Sequence, residues 1–373
     1  MNWELQEKSF IFGLNKNILS QQNITRVYLF DLDSTLIKTK SGKKFPTSKT
    51  DWEFLNSQVI TKLNKLAQND NYAFGIISNQ KGLKTLAQIT DWEDKLNQVA
   101  KKIKIDWVFA SISDDRFRKP MCGSYEYIKS RMTNIDWEKL NAQSKIYYVG
   151  DAFGRKDDFS DTDIKYAINC GFKPKTPEIF FGIEASSEHS AIITYPNINY
   201  FDKVEQDNWF KIFDNIIKSN SKVLIMTIGL PASGKSFFRK EIIRRYPQFS
   251  YSNNDDLNEK VLSRNLIKKI TPAYDYVIDD NTNVDKLTRN AKLKQFESHY
   301  KVGVWFDYDL ELCWHLNWMR MYWFGGKLLP KVTYYTLNKK FDQTDLNKEF
   351  DKFVKVDKVF GEFNLNNQMQ YYF

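Results

Sequence analysis

The chain has 373 residues, too many for one typical domain and suited to two. Hydrophobic residues at 42% and aromatics at 16% are enough for real cores, which excludes a disordered chain. Lys and Arg outnumber Asp and Glu by 55 to 46, and this net charge of +9, shared by both halves, points to a polyanionic partner such as nucleic acid.

Residues 1–22 read as a mixed lead-in whose Trp3, Phe10 and Phe12 pack onto the domain that comes after them. Glu4 and Glu7 interrupt its apolar residues, so no signal peptide is expected. Arg26–Phe30 is a short β-rich run that ends in Asp31-Leu-Asp33-Ser-Thr35, a D-x-D-x-T pattern. Two carboxylates two residues apart at the end of a strand point the same way, into the crevice where open α/β sheets bind ligands. The first can attack phosphorus, and the second can protonate the leaving oxygen and later deprotonate water. A nearby Mg²⁺ offsets their mutual repulsion and the charge of the phosphate.

Three further strands come next. Tyr72–Ile77 ends in Ser78-Asn79-Gln80, donors suited to a phosphate oxygen. Trp107–Ile112 leads to Arg118-Lys119-Pro120, where Lys119 could hold the phosphate against the nucleophile. Lys145–Val149 ends in Gly150-Asp151, and an acidic run from Asp157 through Asp158 and Asp161 to Asp163 offers a residue to complete the metal site. Stretches 59–69 and 85–102 have the length of βαβ crossover helices. The lysine-rich segment 38–45 reads either as a flap over the site or as a solvated hairpin.

This ordered set resembles the haloacid-dehalogenase superfamily, and more closely the phosphatase half of the polynucleotide kinase 3′-phosphatase family. The resemblance rests on Phe30–Ile37, Phe45-Pro46 with Asp51-Trp52, Ile77–Gln80, Arg118–Pro120 and Gly150–Arg155. It implies Asp31 as nucleophile, Asp33 as acid/base, Ser78, Asn79 and Lys119 on the phosphate, and Mg²⁺ held by Asp31, Asp33 and Asp151. Ser34 departs from the glycine usual at its position, and Ser78 from threonine.

After Gly171 the text loses its periodicity, and the domain boundary is expected near 204, giving domains 1–204 and 205–373. Residues 207–219 look helical. The apolar run Val223–Ile228 then enters Gly229-Leu-Pro-Ala-Ser-Gly-Lys-Ser236, a G-x-x-x-x-G-K-S loop opening a helix. Gly229, Ser233 and Gly234 let backbone N–H groups close around a triphosphate, Lys235 reaches its outer phosphates, and Ser236 offers a hydroxyl to Mg²⁺. The run is too short to span a bilayer, so no membrane partner is expected.

Strands are expected at 249–252, 274–278 and 302–306. The first leads to Asn253-Asn254-Asp255-Asp256, the second to Asp279-Asp280-Asn-Thr-Asn283. A long helical stretch, 309–323, carries Arg320, and a basic helix comes after it, around 331–340. These motifs are similar to the kinase half of the same family. That similarity implies Asp255 as the base for a 5′-hydroxyl, Asp280 in the metal shell and Arg320 as a lid arginine over ATP. Asp255 and Asp256 also read as a helix N-cap, and Arg289 equally as a surface residue.

The fold class expected is α/β, with two doubly wound domains: a haloacid-dehalogenase-like phosphatase and then a P-loop kinase with a parallel sheet. No forkhead-associated domain is expected ahead of them. The function implied is healing of nucleic-acid ends, removing 3′-phosphates and phosphorylating 5′-hydroxyls with ATP. DNA repair is the setting, with RNA left open, a monomeric chain and coupling to a ligase. An enzyme of small nucleotides and a non-catalytic end-binding module are the alternatives. Cys122, Cys170 and Cys313 form neither a disulfide set nor a zinc knuckle, so a reducing, intracellular compartment is expected. His189, His299 and His315 show no ligand spacing.

Overall fold

Apolar runs of four to eight residues, each ending in polar chemistry, become the parallel strands of two separate sheets in the computed structural model. It describes residues 1–183 and 206–357, apart from Glu7 and Phe45. The boundary expected at 204, His189 and the stretch after 360 lie outside the described residues. The chain divides into two compact units near residue 195.

The strands of the first unit are β1 (Asn2–Gln6), β2 (Phe10–Leu14), β3 (Arg26–Phe30), β4 (Ile37–Lys38), β5 (Glu53–Phe54), β6 (Tyr72–Asn79), β7 (Trp107–Ser111), β8 (Ile146–Val149) and β9 (Lys173–Lys175). Seven form one sheet in the order β1-β2-β7-β6-β3-β8-β9, and β4 pairs with β5 as a separate ribbon. From β7 to β9 the pairing is parallel. Along β3, Val27 and Leu29 join one core and Tyr28 and Phe30 the other, on the opposite face. A strand apolar on both faces is what a sheet covered by helices on both sides requires.

The lead-in is more than packing. β1 and β2 form a hairpin that extends the sheet, antiparallel to β7. All five residues of β2 are buried, and Phe10 stacks on Phe109 with centroids 4.5 Å apart. Gly13 is needed there, because a Cβ would meet the Trp3 ring at 2.4 Å.

Segment 38–45 leaves β4, and the turn beyond it is organised by Asp51. Its carboxylate accepts from Ser41 N at 2.7 Å, Ser41 Oγ at 2.7 Å and Thr47 N at 2.8 Å. These donors, the Thr47 amide foremost, hold the Asp51 carboxyl below its ordinary range.

The second unit has β10 (Val223–Ile228), β11 (Ser250–Ser252), β12 (Tyr276–Asp279), β13 (Tyr300–Phe306) and β14 (Lys352–Val356). They form one all-parallel sheet in the order β11-β12-β10-β13-β14. β14 was not among the expected strands. Its Lys-Phe-Val-Lys-Val alternation suits an edge, where lysines discourage further pairing. β10 is buried along its whole length at the centre, and its C-terminal end delivers the glycine-rich loop to the helix Lys235–Arg245. The α/β class and the parallel sheet of the second unit agree with the sequence, while the first sheet gains an antiparallel hairpin at one edge.

Candidate active sites

In the first unit the ends of β3, β6, β7 and β8 lie side by side, since Phe30 pairs with Ile76 and Val149, and Asn79 with Ser111. Asp31, the first residue past β3, is tied by its amide to Val149 O at 2.8 Å. Lys119 enters from beyond β7, and its ammonium has three acceptors at 2.7 Å: Asp31 Oδ1, Asp163 Oδ1 and the Tyr148 hydroxyl. An ammonium has three protons, so all are used inside the protein. Lys119 therefore orients the nucleophile and neutralises charge around it.

Asn79 is engaged by the backbone beside it. Its amide nitrogen donates to Lys119 O at 3.1 Å, and its oxygen accepts from Lys119 N at 3.0 Å. This reciprocal pair fixes the loop that carries Lys119. Ser78 stays at the strand end, buried, with its Oγ receiving Gln80 Nε2 at 3.0 Å.

One oxygen each from Asp31, Asp151 and Asp163 lies within 4.8 Å of the others. Asp163, and not Asp33, is the third carboxylate of this group. Its Oδ2 accepts from Ala152 N at 3.0 Å, and a Cβ at Gly150 would strike that carboxylate at 2.3 Å. Asp33 is exposed at the mouth, where its Oδ2 accepts from Gln80 Nε2 at 2.7 Å. That position suits a proton carrier better than a ligand.

Burial pushes the Asp31 carboxyl up to about 8; Lys119 opposes the shift, and Asp163 and Asp151 add to it. Burial and Asp163 push Asp151 up to about 6. Three crowded carboxylates against one lysine are short of positive charge, so the group fits a divalent cation. Cation binding must then displace protons from Asp31 and Asp151. Affinity should rise from pH 6 to pH 8, with proton release seen by calorimetry in two buffers of different ionisation enthalpy. Asp163→Asn should weaken that affinity by about 10–100-fold or more. An unchanged affinity would remove Asp163 from the group.

Ser34 adopts φ +58°, the left-handed region. A side chain there costs about 1 kcal/mol, which accounts for the glycine usual at this position. Ser34→Gly is expected to leave the fold equal in stability or up to about 1 kcal/mol more stable by denaturant unfolding; a clear loss would contradict the strain.

In the second unit the loop Gly229–Ser236 needs its glycines. Gly229 has φ +148° and Gly234 has φ +92°, and a Cβ on Gly229 would sit 3.0 Å from Phe306 O. Lys235 Nζ folds back over the loop to Leu230 O at 2.6 Å and Ser233 Oγ at 3.3 Å. Burial lowers its pKa to about 8, against Asp280, which raises it; Arg320 lowers it further. Ser236 is exposed at the helix start.

Asp280 is buried, and burial raises its pKa against the pull of Arg239 and Lys235. Its Oδ2 accepts from Arg239 Nε at 3.1 Å and Asn253 Nδ2 at 3.0 Å. Its Oδ1 has no hydrogen bond of good geometry, though the Ser236 hydroxyl is near enough to favour the charged form. An orphaned buried carboxylate oxygen beside a hydroxyl at a helix N-terminus suits a divalent cation.

Asp255 and Asp256 separate cleanly. Asn253 is the N-cap, accepting from Asp256 N at 2.9 Å. Asp256 bonds Arg239 Nη1 at 3.0 Å and the Tyr251 hydroxyl at 2.8 Å. Asp255 is exposed, and its charge bears on Lys235. Arg320 Nη2 is held by Lys327 O at 2.9 Å and Asn317 Oδ1 at 3.2 Å, while its charge also reaches Lys235. Arg289 is no surface residue: fully buried, it grips Glu349 and the carbonyls of Asn283, Val284 and Asp342. His299 faces Tyr274 O at 2.9 Å and His315 is buried, both as structural residues.

The family model described as polynucleotide kinase 3 phosphatase matches residues 26–181. The polynucleotide 3′-phosphatase of Saccharomyces cerevisiae is 34% identical, over 42% of this chain and 87% of its own length. The chain belongs to this family. The bifunctional polynucleotide phosphatase/kinase of Schizosaccharomyces pombe is 29% identical over 363 residues, 95% of this chain and 84% of that one.

In this member of the polynucleotide kinase 3′-phosphatase family, two residues of the sites, Tyr148 and Arg239, were missed in the sequence. Tyr148 is the third acceptor of Lys119, while Gln80, read in the sequence as a phosphate donor, bridges Asp33 and Ser78. Arg239 joins Asp256 to Asp280 and lies 4.0 Å over the Tyr251 ring. Arg239 falls one helical turn after Lys235, so the i, i+4 spacing was an available signal.

Proposed function

We propose that this chain is a bifunctional end-healing enzyme of nucleic acids, a 3′-phosphatase in its first unit and an ATP-dependent 5′-hydroxyl kinase in its second. The observation that carries this is the joint presence of the Asp31–Lys119–Asp163 cluster and the Gly229–Ser236 loop with Asp280 behind it. The relative spanning 95% of the chain, whose name states both activities, supports it.

In the phosphatase, an Asp31 oxygen attacks phosphorus and the bond to the 3′ oxygen breaks, leaving an aspartyl-phosphate. Asp33, held at the mouth by Gln80, gives its proton to the departing oxygen. Asp33 then takes a proton from water, whose oxygen displaces Asp31 from phosphorus. In the kinase, Asp255 takes the proton of the 5′-hydroxyl, whose oxygen attacks the γ-phosphorus, and ADP leaves. Lys235 exchanges the Leu230 carbonyl for phosphate oxygens, with Arg320 closing over them. A divalent cation, Mg²⁺ in this reading, held by Asp31, Asp151 and Asp163 in one site and near Ser236 and Asp280 in the other, would offset phosphate charge. The domains proposed are 1–204 and 205–373.

The products, a 3′-hydroxyl and a 5′-phosphate, are what a ligase joins, which suits strand-break repair in DNA, with RNA ends an open alternative. We take the chain to act as a monomer in a reducing, intracellular compartment. Among the described residues the cysteines are free, and no helix is long and apolar enough to cross a membrane.

The test uses end-labelled DNA and RNA oligonucleotides bearing 3′-phosphate or 5′-hydroxyl, with Mg²⁺, with and without ATP, and with a chelator. Loss of 3′-phosphate without ATP, and gain of 5′-phosphate only with it, is the expected result. Inertness on both ends would defeat the reading. Long single-stranded DNA should inhibit at low salt and lose its grip as salt rises; no inhibition would favour small nucleotides as substrates.

A further inference from the structure

In the second unit, the helix Leu310–Phe324 is rich in aromatic rings, and the helix Lys331–Lys340 brings a lysine and tyrosines against them. Lys331 Nζ lies over two rings at once, 5.7 Å from the centroid of Trp314 and 5.9 Å from that of Tyr335. Trp314 also meets Trp318 one turn later, edge to face at 5.9 Å. Tyr335 is 54% exposed, unusual for a tyrosine on a packed helix. Beneath, fully buried Tyr334 packs edge to face on Trp314 at 5.6 Å and fixes the two helices together.

The segment joining these helices and the second helix itself are basic. From Phe324 to Phe341 the sequence holds Lys327, Lys331, Lys339 and Lys340 and no Asp or Glu. Such an excess of lysine suits an external polyanion. Cations interleaved with partly exposed rings are what a single strand requires: bases stack on rings while phosphates meet ammonium groups. A duplex keeps its bases stacked inside and would leave the rings unused. The same helix reaches the kinase site, because Arg320 lies near enough to Lys235 for its charge to bear on it.

We propose that Trp314, Lys331 and Tyr335 form a stacking platform for single-stranded nucleic acid, receiving the bases behind the 5′-hydroxyl end that the kinase phosphorylates. This rests on the kinase reading of the second unit. It makes the acceptor a strand and not a mononucleotide, and it makes unpaired nucleotides at the 5′ end a requirement for efficient transfer.

The experiment compares two acceptors for the full chain: a twelve-residue oligothymidylate and thymidine 3′-monophosphate, which is too short to reach the platform. The Asp31→Asn background keeps the 3′-phosphate intact. Tyr335→Ala should lower the ratio of kcat/KM for the oligonucleotide over the mononucleotide about tenfold, mainly through KM. Tyr335→Phe, which keeps the ring, should restore it, and Lys331→Ala should lower the ratio and reduce its salt dependence. A ratio within twofold of the parent in Tyr335→Ala would overturn the platform. Should neither acceptor be phosphorylated, the kinase reading itself fails. Fluorescence anisotropy of labelled oligothymidylate then decides alone: weaker binding by Tyr335→Ala supports the platform, and unchanged binding overturns it.

Discussion

Asp31→Asn is expected to abolish 3′-phosphatase activity, by about 10³-fold or more, because an amide cannot attack phosphorus. The same protein should phosphorylate 5′-hydroxyl ends at an undiminished rate. The prediction is sharpened by what surrounds the residue. Asp31 is buried against Asp151 and Asp163, and burial raises its carboxyl above the usual carboxylate range. An asparagine there relieves the crowding of carboxylates, and its oxygen can still accept from Lys119. The variant should therefore fold as well as the parent, judged by thermal unfolding. Retained phosphatase activity would exclude Asp31 as nucleophile. Loss of both activities in a folded protein would refute two independent sites.

The mirror experiment is Lys235→Ala. It is expected to lower kinase kcat about 10²–10³-fold, the scale for removing one preorganised charge contact, and to spare the phosphatase. Lys235 is buried and its pKa is pushed down to about 8, so above that pH the free protein loses the charge. ATP affinity should accordingly fall as pH rises from 8 to 9, and the fall should vanish in the variant. Titration calorimetry with a non-hydrolysable ATP analogue at the two pH values reads this directly. An identical pH dependence in Lys235→Ala would assign it to another group. Removing Lys235 also leaves Asp280 with Arg239 as its remaining cation in direct contact, a pair that survives because Nε and Oδ2 are 3.1 Å apart.

Much of both sites was legible because chemistry sits at strand ends, where an apolar run stops and polar residues begin. Asp31, Asp151, Lys235 and Asp280 were all found that way. What was hidden depended on register within polar runs. Between Asp157 and Asp163 the sequence offers four carboxylates, and composition ranks none of them. In the fold, Asp158 is used by Arg155 and Asp161 by Lys165, and only the helix start at Thr162 turns Asp163 inward. Asn79 was hidden for a related reason: its pairing with the Lys119 backbone, 40 residues away in sequence, has no signal in its own motif. The choice between Asp255 and Asp256 waited on finding Asn253 as the cap. Strands β1 and β14 were missed because short edge strands carry alternating polar residues that read as loop.

The hairpin at the N-terminus has a practical consequence for dissecting the protein. The family match begins at Arg26, a natural place to cut out an isolated phosphatase. A fragment starting there would discard β2, whose residues Phe10–Leu14 pair with Trp107–Ser111, and would strip Phe10 from the face of Phe109. β7, buried along its whole length in the intact fold, would become a bare edge beside exposed rings, a template for sheet-to-sheet addition between copies. Such a fragment would aggregate for reasons unrelated to its chemistry, and its inactivity would say nothing about Asp31. The first fourteen residues thus act as a solubility cap for the catalytic sheet, and any shortened version needs to keep them.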